Sequence, residues 1–112
     1  MEGGKNLLKP YTYRGLTFKN RMMNAALTRC RGSADGTPGE LMAKYYASRA
    51  GFGILLSECA SCSLRGNAFN HAGSLWKDEQ IEGWKKVVDG VHANGGMIFM
   101  QIYHGGRQTH PD

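Results

Sequence analysis

The feature that most constrains the fold of this chain is an alternation of short apolar runs with segments of helical spacing. Three runs have the length and composition of buried strands, at residues 21–27, 53–57 and 97–102. They are continuous rather than alternating in polarity, which is typical of parallel strands covered on both faces. A segment with helical spacing separates each run from the next. Strands joined by helices in this way predict crossover connections and a parallel α/β sheet.

The first helix carries a start signal in the segment Thr37-Pro38-Gly39-Glu40. We expect Thr37 to be the N-cap and Pro38 to occupy the first helical position. Glu40 is expected to complete a capping box with Thr37. Gly51 is the expected end of this helix.

The second helix is expected to begin with Asp78 as its cap and to stop at Gly95-Gly96. Its expected apolar face consists of Ile81, Trp84, Val88 and Val91. Ahead of all these elements, residues 7–19 predict a short hairpin that turns at Arg14-Gly15.

Composition excludes several classes of protein. A chain of 112 residues, 41% hydrophobic and 21% charged, has room for one globular domain. No apolar run approaches the roughly 18 residues of a membrane span. The formal charge is +5, and residues 1–31 hold seven basic residues against one acid, which indicates a transit peptide or, as we favour, a solvated basic edge. Because no basic–aromatic interleaving accompanies the charge, we expect no nucleic-acid partner, while a phosphate-bearing small molecule stays open.

The cysteines indicate a reducing compartment. An odd number, three, argues against a disulfide scaffold, so we expect a cytoplasmic protein. Cys59 and Cys62 form one CxxC, which we place in a loop. A single pair is weak evidence for zinc, and a pair away from a helix start is weak evidence for a redox dithiol. We expect no metal site.

Polar residues stand at the carboxyl ends of the three apolar runs, where ligand groups collect in parallel sheets. The segments are Leu27-Thr28-Arg29, Glu58-Cys59 and Gln101-Ile102-Tyr103-His104. From the residues alone, Thr28 and Gln101 fit a ligand site or an ordinary loop. Glu58 would be structural if a partner such as Arg29 neutralised it.

These segments carry a resemblance that covers nearly the whole chain. The order of residues 16–21, 26–31, 40–46, 49–51, 57–58, 78–87, 91–96, 98–107 and 110–112 resembles the old yellow enzyme family of FMN-dependent ene-reductases. The resemblance implies a (β/α)₈ barrel with FMN at the carboxyl ends of its strands. It also implies NADPH or NADH as the reductant and a small enone-type substrate, whose activated C=C bond receives hydride.

The resemblance also implies roles for individual residues. It assigns cofactor contacts to Ala26, Leu27, Thr28, Cys59 and Gln101, and a substrate contact to Tyr103. The Thr28 hydroxyl would donate to the flavin O4, and the Gln101 carboxamide would both donate and accept at the pyrimidine edge. Backbone groups of Ala26 and Leu27 would lie along the same edge, and Cys59 holds a place for a small residue close to the ring.

Length conflicts with a complete barrel. A (β/α)₈ barrel needs about 250 residues, so we interpret residues 1–112 as the N-terminal part of an FMN-binding barrel, with a hairpin followed by strand, helix, strand, helix and strand. The family's substrate-anchoring His pair, Tyr proton donor and phosphate-binding loops have no counterpart in these residues, so no catalytic residue is assigned. We expect the chain to be inactive alone. The alternative is a non-catalytic product or interaction module without flavin chemistry.

Overall fold

The computed structural model describes residues 3–109. In chain order the elements are α1 (Gly3–Leu7), β1 (Tyr11–Tyr13), β2 (Leu16–Phe18), β3 (Met23–Asn24), α2 (Glu40–Ala47), β4 (Ile54–Ser61), β5 (Gly73–Ser74), α3 (Asp78–Ala93) and β6 (Ile98–Tyr103). Single 3₁₀ turns occupy Leu64–Gly66 and Gly106–Gln108. The segment His110-Pro111-Asp112, which contributed to the resemblance, lies outside the described residues.

A parallel sheet centred on β4 forms the middle of the molecule. β6 runs along one edge of β4, while β3 and then β5 pair with the other edge, all of them parallel to β4. The predicted parallel α/β arrangement is confirmed. The predicted hairpin is confirmed as well: β1 and β2 are antiparallel, and Arg14 and Gly15 take the positive φ angles of 47° and 83° that a tight hairpin turn requires.

The strand expected over residues 21–27 is much shorter than predicted, because only Met23–Asn24 pairs with β4. The reason lies in β4, which bulges between Leu56 and Cys59. A bulge interrupts the regular ladder, so the residues after Asn24 continue without strand pairing.

The core lies between β4 and the two helices. It consists of Met42, Tyr46, Ala50, Leu55, Ala60, Trp84, Val87 and Val91. The expected inner face of α3 is corrected in part, because Val87 is fully buried whereas Ile81 is 39% exposed. Gly83 determines which face of α3 is turned inward. A Cβ at this position would lie 2.7 Å from the Pro38 carbonyl oxygen, so the helix packs closely against the loop that contains Pro38.

Both predicted N-caps are wrong. The N-cap of α2 is Gly39, without a side-chain cap bond, since the Thr37 hydroxyl instead donates to Asp35 Oδ2 over 3.0 Å. The N-cap of α3 is Lys77, whose N–H donates to Gln80 Oε1 over 3.1 Å. Asp78 stands one position later, in the first turn, where a negative charge favours the helix dipole.

Among residues 3–109, no helix combines the length and apolarity needed to cross a bilayer.

Candidate functional site

A bulge near the carboxyl end of β4 shapes the candidate site. The three steps from Leu56 to Cys59 lie opposite the two from Phe99 to Gln101. Ser57 closes the gap, because its hydroxyl accepts from the Gln101 N–H over 3.0 Å and donates to the Glu58 carbonyl over 2.6 Å. Bulges re-aim side chains. This one sets Cys59 opposite Gln101 where the strands end.

The structure brings together three of the residues assigned to the cofactor. The Thr28 hydroxyl and the Cys59 thiol are 2.8 Å apart, and Cys59 pairs with Gln101 across the ladder. Cys59 is buried, Thr28 is half-buried and Gln101 is exposed. Within residues 3–109, the Gln101 carboxamide makes no hydrogen bond, so its donor and its acceptor are both available to a ligand.

Ala26 and Leu27 lie in the segment between β3 and Thr28, outside any strand. Ala26 is half-buried and Leu27 is 61% exposed. Neither makes a side-chain or backbone hydrogen bond to Thr28, Cys59 or Gln101 in the described part of the chain. Their backbone contact with a flavin stays a prediction.

Tyr103 is anchored in the loop that follows β4. Its hydroxyl accepts from the Ala68 N–H over 3.0 Å and donates to Asn67 Oδ1 over 3.1 Å. Burial raises the pKa of Tyr103 above its ordinary value, and the Phe69 ring lies 6.1 Å away, centroid to centroid. Because the hydroxyl is occupied, the ring is the part of Tyr103 that remains to contact a ligand.

A buried ion pair lies directly behind the site. Glu58 is fully buried, and its Oε2 accepts from Arg29 Nε at 3.1 Å and Nη2 at 2.5 Å. The Arg29 guanidinium also lies 3.4 Å from the ring centroid of Tyr45. Glu58 therefore has the structural partner that the sequence suggested. Two neighbouring contacts therefore join residues 28–29 to residues 58–59: the ion pair between Arg29 and Glu58, and the contact between Thr28 and Cys59.

Tyr46 completes this ion-pair cluster. Its hydroxyl accepts from the Glu58 N–H over 2.5 Å and donates to Glu58 Oε2 over 3.3 Å. Burial raises the pKa of Tyr46 to about 12. The sequence patterns assigned no role to Tyr46 or to Ser57. The one signal for Ser57 was a hydroxyl next to a carboxylate at the end of an apolar run.

The CxxC does not lie in a loop as predicted. Cys59 is buried within β4 and Cys62 is exposed just beyond its end. Both thiols are free, so no disulfide joins Cys59 to Cys62. In residues 3–109, no group of three or more His, Cys, Asp or Glu side chains is arranged to hold a metal ion.

A cavity of about 350 Å³ lies at the other end of the strands. Its lining is Tyr11, Phe18, Asn20, Arg21, Met22, Met23 and Ile54. Met23 and Ile54 are the first residues of β3 and β4. The cavity is therefore remote from Thr28, Cys59 and Gln101.

Known proteins similar to this chain share both its sequence and its fold. Residues 6–112 match the model of the NADH:flavin oxidoreductase / NADH oxidase family. A probable flavin mononucleotide-dependent alkene reductase of Leishmania infantum is 40% identical over 94% of this chain and 29% of its own length. The old yellow enzyme homologue of Zymomonas mobilis is 40% identical with a TM-score of 0.85, covering 88% of this chain and 28% of that one.

Morphinone reductase in complex with tetrahydroNAD is 39% identical with a TM-score of 0.89, over 94% of this chain and 29% of that one. The chain thus spans less than a third of the length of these three relatives. The described residues correspond to the first strands and helices of the old yellow enzyme barrel. The match over residues 6–112 shows that this chain belongs to the NADH:flavin oxidoreductase / NADH oxidase family, the old yellow enzyme family.

Proposed function

We propose that this chain supplies the first part of the FMN site of an NAD(P)H-dependent ene-reductase that acts on small enone-type molecules. One observation carries the proposal: the Thr28 hydroxyl lies 2.8 Å from the Cys59 thiol, and Cys59 pairs with Gln101 near the carboxyl ends of the parallel strands β4 and β6. The names of two relatives support it, one a flavin mononucleotide-dependent alkene reductase and the other a reductase bound to tetrahydroNAD.

The donor set fits a flavin. An isoalloxazine presents acceptors at O4 and O2 and a donor at N3. A threonine hydroxyl can donate to O4, and a free carboxamide can donate and accept at once along the pyrimidine edge. The bulge sets Cys59 opposite Gln101, and Cys59 contacts Thr28. The hydroxyl-bearing and the carboxamide-bearing residue are therefore held near the same end of the sheet.

The chain's own residues would bind and orient the cofactor rather than transfer protons. FMN, when bound, supplies the transfer of hydride from NAD(P)H to an activated C=C bond. Thr28 and Gln101 would hold the ring, and the Tyr103 ring would form a wall of the substrate pocket.

All three cysteines are free, and Cys30 and Cys62 are exposed. This supports our proposal of a cytoplasmic location.

Titration of the purified chain with FMN tests the proposal. We expect quenched flavin fluorescence and a shifted visible spectrum. Gln101→Leu removes two hydrogen bonds of about 0.5–1.5 kcal/mol each, so it should weaken binding roughly 5- to 150-fold. Gln108→Leu is the matched control, because Gln108 is an exposed glutamine beyond β6. A folded chain that leaves FMN fluorescence unchanged would instead support a non-catalytic module.

A second arm tests the same residues inside a closed barrel. Residues 6–112 replace the matched segment of the Zymomonas mobilis old yellow enzyme homologue. The chimera should purify with FMN and oxidise NADPH when a cyclic enone is added. Gln101→Leu in the chimera should lower flavin content while Gln108→Leu should not. Equal flavin content in both variants would contradict the role of Gln101.

A further inference from the structure

The contact between Cys59 and Thr28 raises a question of direction, since each side chain carries one proton. The two heteroatoms are 2.8 Å apart. Either the hydroxyl donates to sulfur or the thiol donates to oxygen. Only the second arrangement leaves the Thr28 proton free for another acceptor.

The burial of Cys59 and the relative strengths of the two acceptors favour donation by the thiol. Cys59 is 6% exposed, whereas Thr28 is only half-buried. A hydroxyl oxygen is a good acceptor and a thiol sulfur a weak one. If the thiol donates, the half-buried hydroxyl can give its own proton to water or to a ligand. If the hydroxyl donates instead, its strong donor is spent on the weaker acceptor.

We propose that Cys59 is a positioning residue whose thiol donates to Thr28 Oγ1 and thereby turns the hydroxyl proton toward a ligand at the strand ends. Thr28 then acts as a donor only, and it selects an acceptor such as a carbonyl or enolate oxygen. This inference rests on the proposed function, in which that acceptor is the flavin O4. A donor at O4 binds the electron-rich reduced ring more tightly than the oxidised ring.

The surroundings hold this geometry in place. Thr28 and Cys59 are each next in sequence to a member of the buried Arg29–Glu58 pair. The bulge ahead of Cys59 is closed by the Ser57 hydrogen bonds to Gln101 and Glu58. The two heteroatoms therefore have little freedom to separate.

Infrared spectroscopy of the thiol tests the direction of the bond without FMN. Cys30→Ser and Cys62→Ser leave Cys59 as the single thiol of the chain. We expect an S–H stretching band lowered by hydrogen bonding, and Thr28→Val should raise its frequency. Thr17→Val, in the exposed hairpin, is the matched control and should leave the band unchanged. If Thr28→Val does not fold, the folded chain is compared with the same chain in urea.

The effect on the ligand is measured as the ratio of affinities for reduced and oxidised FMN, obtained from the redox potential of the bound flavin. Cys59→Ala should lower that ratio about fivefold, the equivalent of one hydrogen bond near 1 kcal/mol. Cys59→Ser restores a donor and should recover the ratio. Cys62→Ala should not change it.

The outcomes separate this inference from the proposed function. Failure of both the unaltered chain and the chimera to take up FMN would overturn the proposed function. An S–H band that Thr28→Val does not move would overturn the direction of the hydrogen bond. An unchanged affinity ratio in Cys59→Ala, with FMN bound, would overturn the positioning role of Cys59.

Discussion

The buried pair between Arg29 and Glu58 offers the sharpest test of what stabilises the strand ends. Arg29→Met keeps the aliphatic stem, removes the charge and leaves a fully buried carboxylate without its cation. Breaking a buried pair from one side costs about 3–5 kcal/mol. The lost contact with the Tyr45 ring, 3.4 Å from the guanidinium carbon, adds about 0.5–2 kcal/mol. Against a total stability of roughly 5–15 kcal/mol for a domain, this loss is large.

Glu58→Gln should cost less than Arg29→Met. The Arg29 side chain keeps 14% exposure, so its charge can be met by water, and the new amide still accepts from Arg29. We expect a loss of about 1–3 kcal/mol, the usual cost of disturbing a buried polar group. The double variant should be less destabilised than the sum of the two single variants by about 1–3 kcal/mol, because the residues interact directly.

Urea unfolding followed by far-ultraviolet circular dichroism measures these changes. The matched control is Lys85→Met, which breaks the exposed pair between Lys85 and Glu82 over 2.6 Å. An exposed pair contributes little to stability, because water solvates both charges. The reasoning fails if Arg29→Met costs no more than Lys85→Met, or if the two substitutions at the buried pair are additive.

Three further predictions concern pH and backbone contacts. The pKa of Tyr46 is raised to about 12 in the folded chain, so this hydroxyl ionises first in the unfolded chain. The free energy of unfolding should therefore fall by about 1.4 kcal/mol per pH unit between about pH 10 and 12. Tyr46→Phe should remove this loss. The hydroxyls of Ser33 and Thr37 lower the pKa of Asp35 to about 2. The stability that the ionised Asp35 contributes to the folded chain should therefore be lost as the pH falls from about 4 to 2. Asp35→Asn should make stability depend less on pH in this range. Gly53→Ala should destabilise by about 1–3 kcal/mol, because a Cβ there overlaps the Asn20 backbone oxygen. Gly90→Ala, in ordinary contact at 3.5 Å, should instead gain up to about 1 kcal/mol in thermal or urea unfolding.

Sequence patterns predicted the long-range arrangement better than the local details. Continuous apolar runs separated by helical spacing predicted parallel strands. β4, α3 and β6 begin within one residue of the expected positions, although β4 continues to Ser61 rather than ending at residue 57. The caps were wrong because a cap depends on which acceptor a hydroxyl reaches. The Thr37 hydroxyl donates to Asp35 Oδ2, so it does not cap α2. Gly39 is the N-cap instead, and it makes no side-chain hydrogen bond.

The candidate site was predicted as residue types at strand ends, and as roles implied by a family resemblance. Nothing in the sequence indicated that β4 bulges between Leu56 and Cys59. The bulge decides which residue faces Gln101, since a shift of one position on a strand exchanges the two faces. It also decides that Glu58 is buried beside Arg29 while Cys59 reaches Thr28.

The sequence by itself determined that this chain forms parallel βα units and places a threonine, a cysteine and a glutamine near the carboxyl ends of successive apolar runs. Those features follow from hydrophobic periodicity, which acts over neighbouring residues. Only the tertiary structure decided that Thr28 and Cys59 share a hydrogen bond and that Tyr46 and Arg29 converge on Glu58. These contacts join residues 12 to 31 positions apart. They depend on strand register and on how the helices pack, which local spacing does not specify.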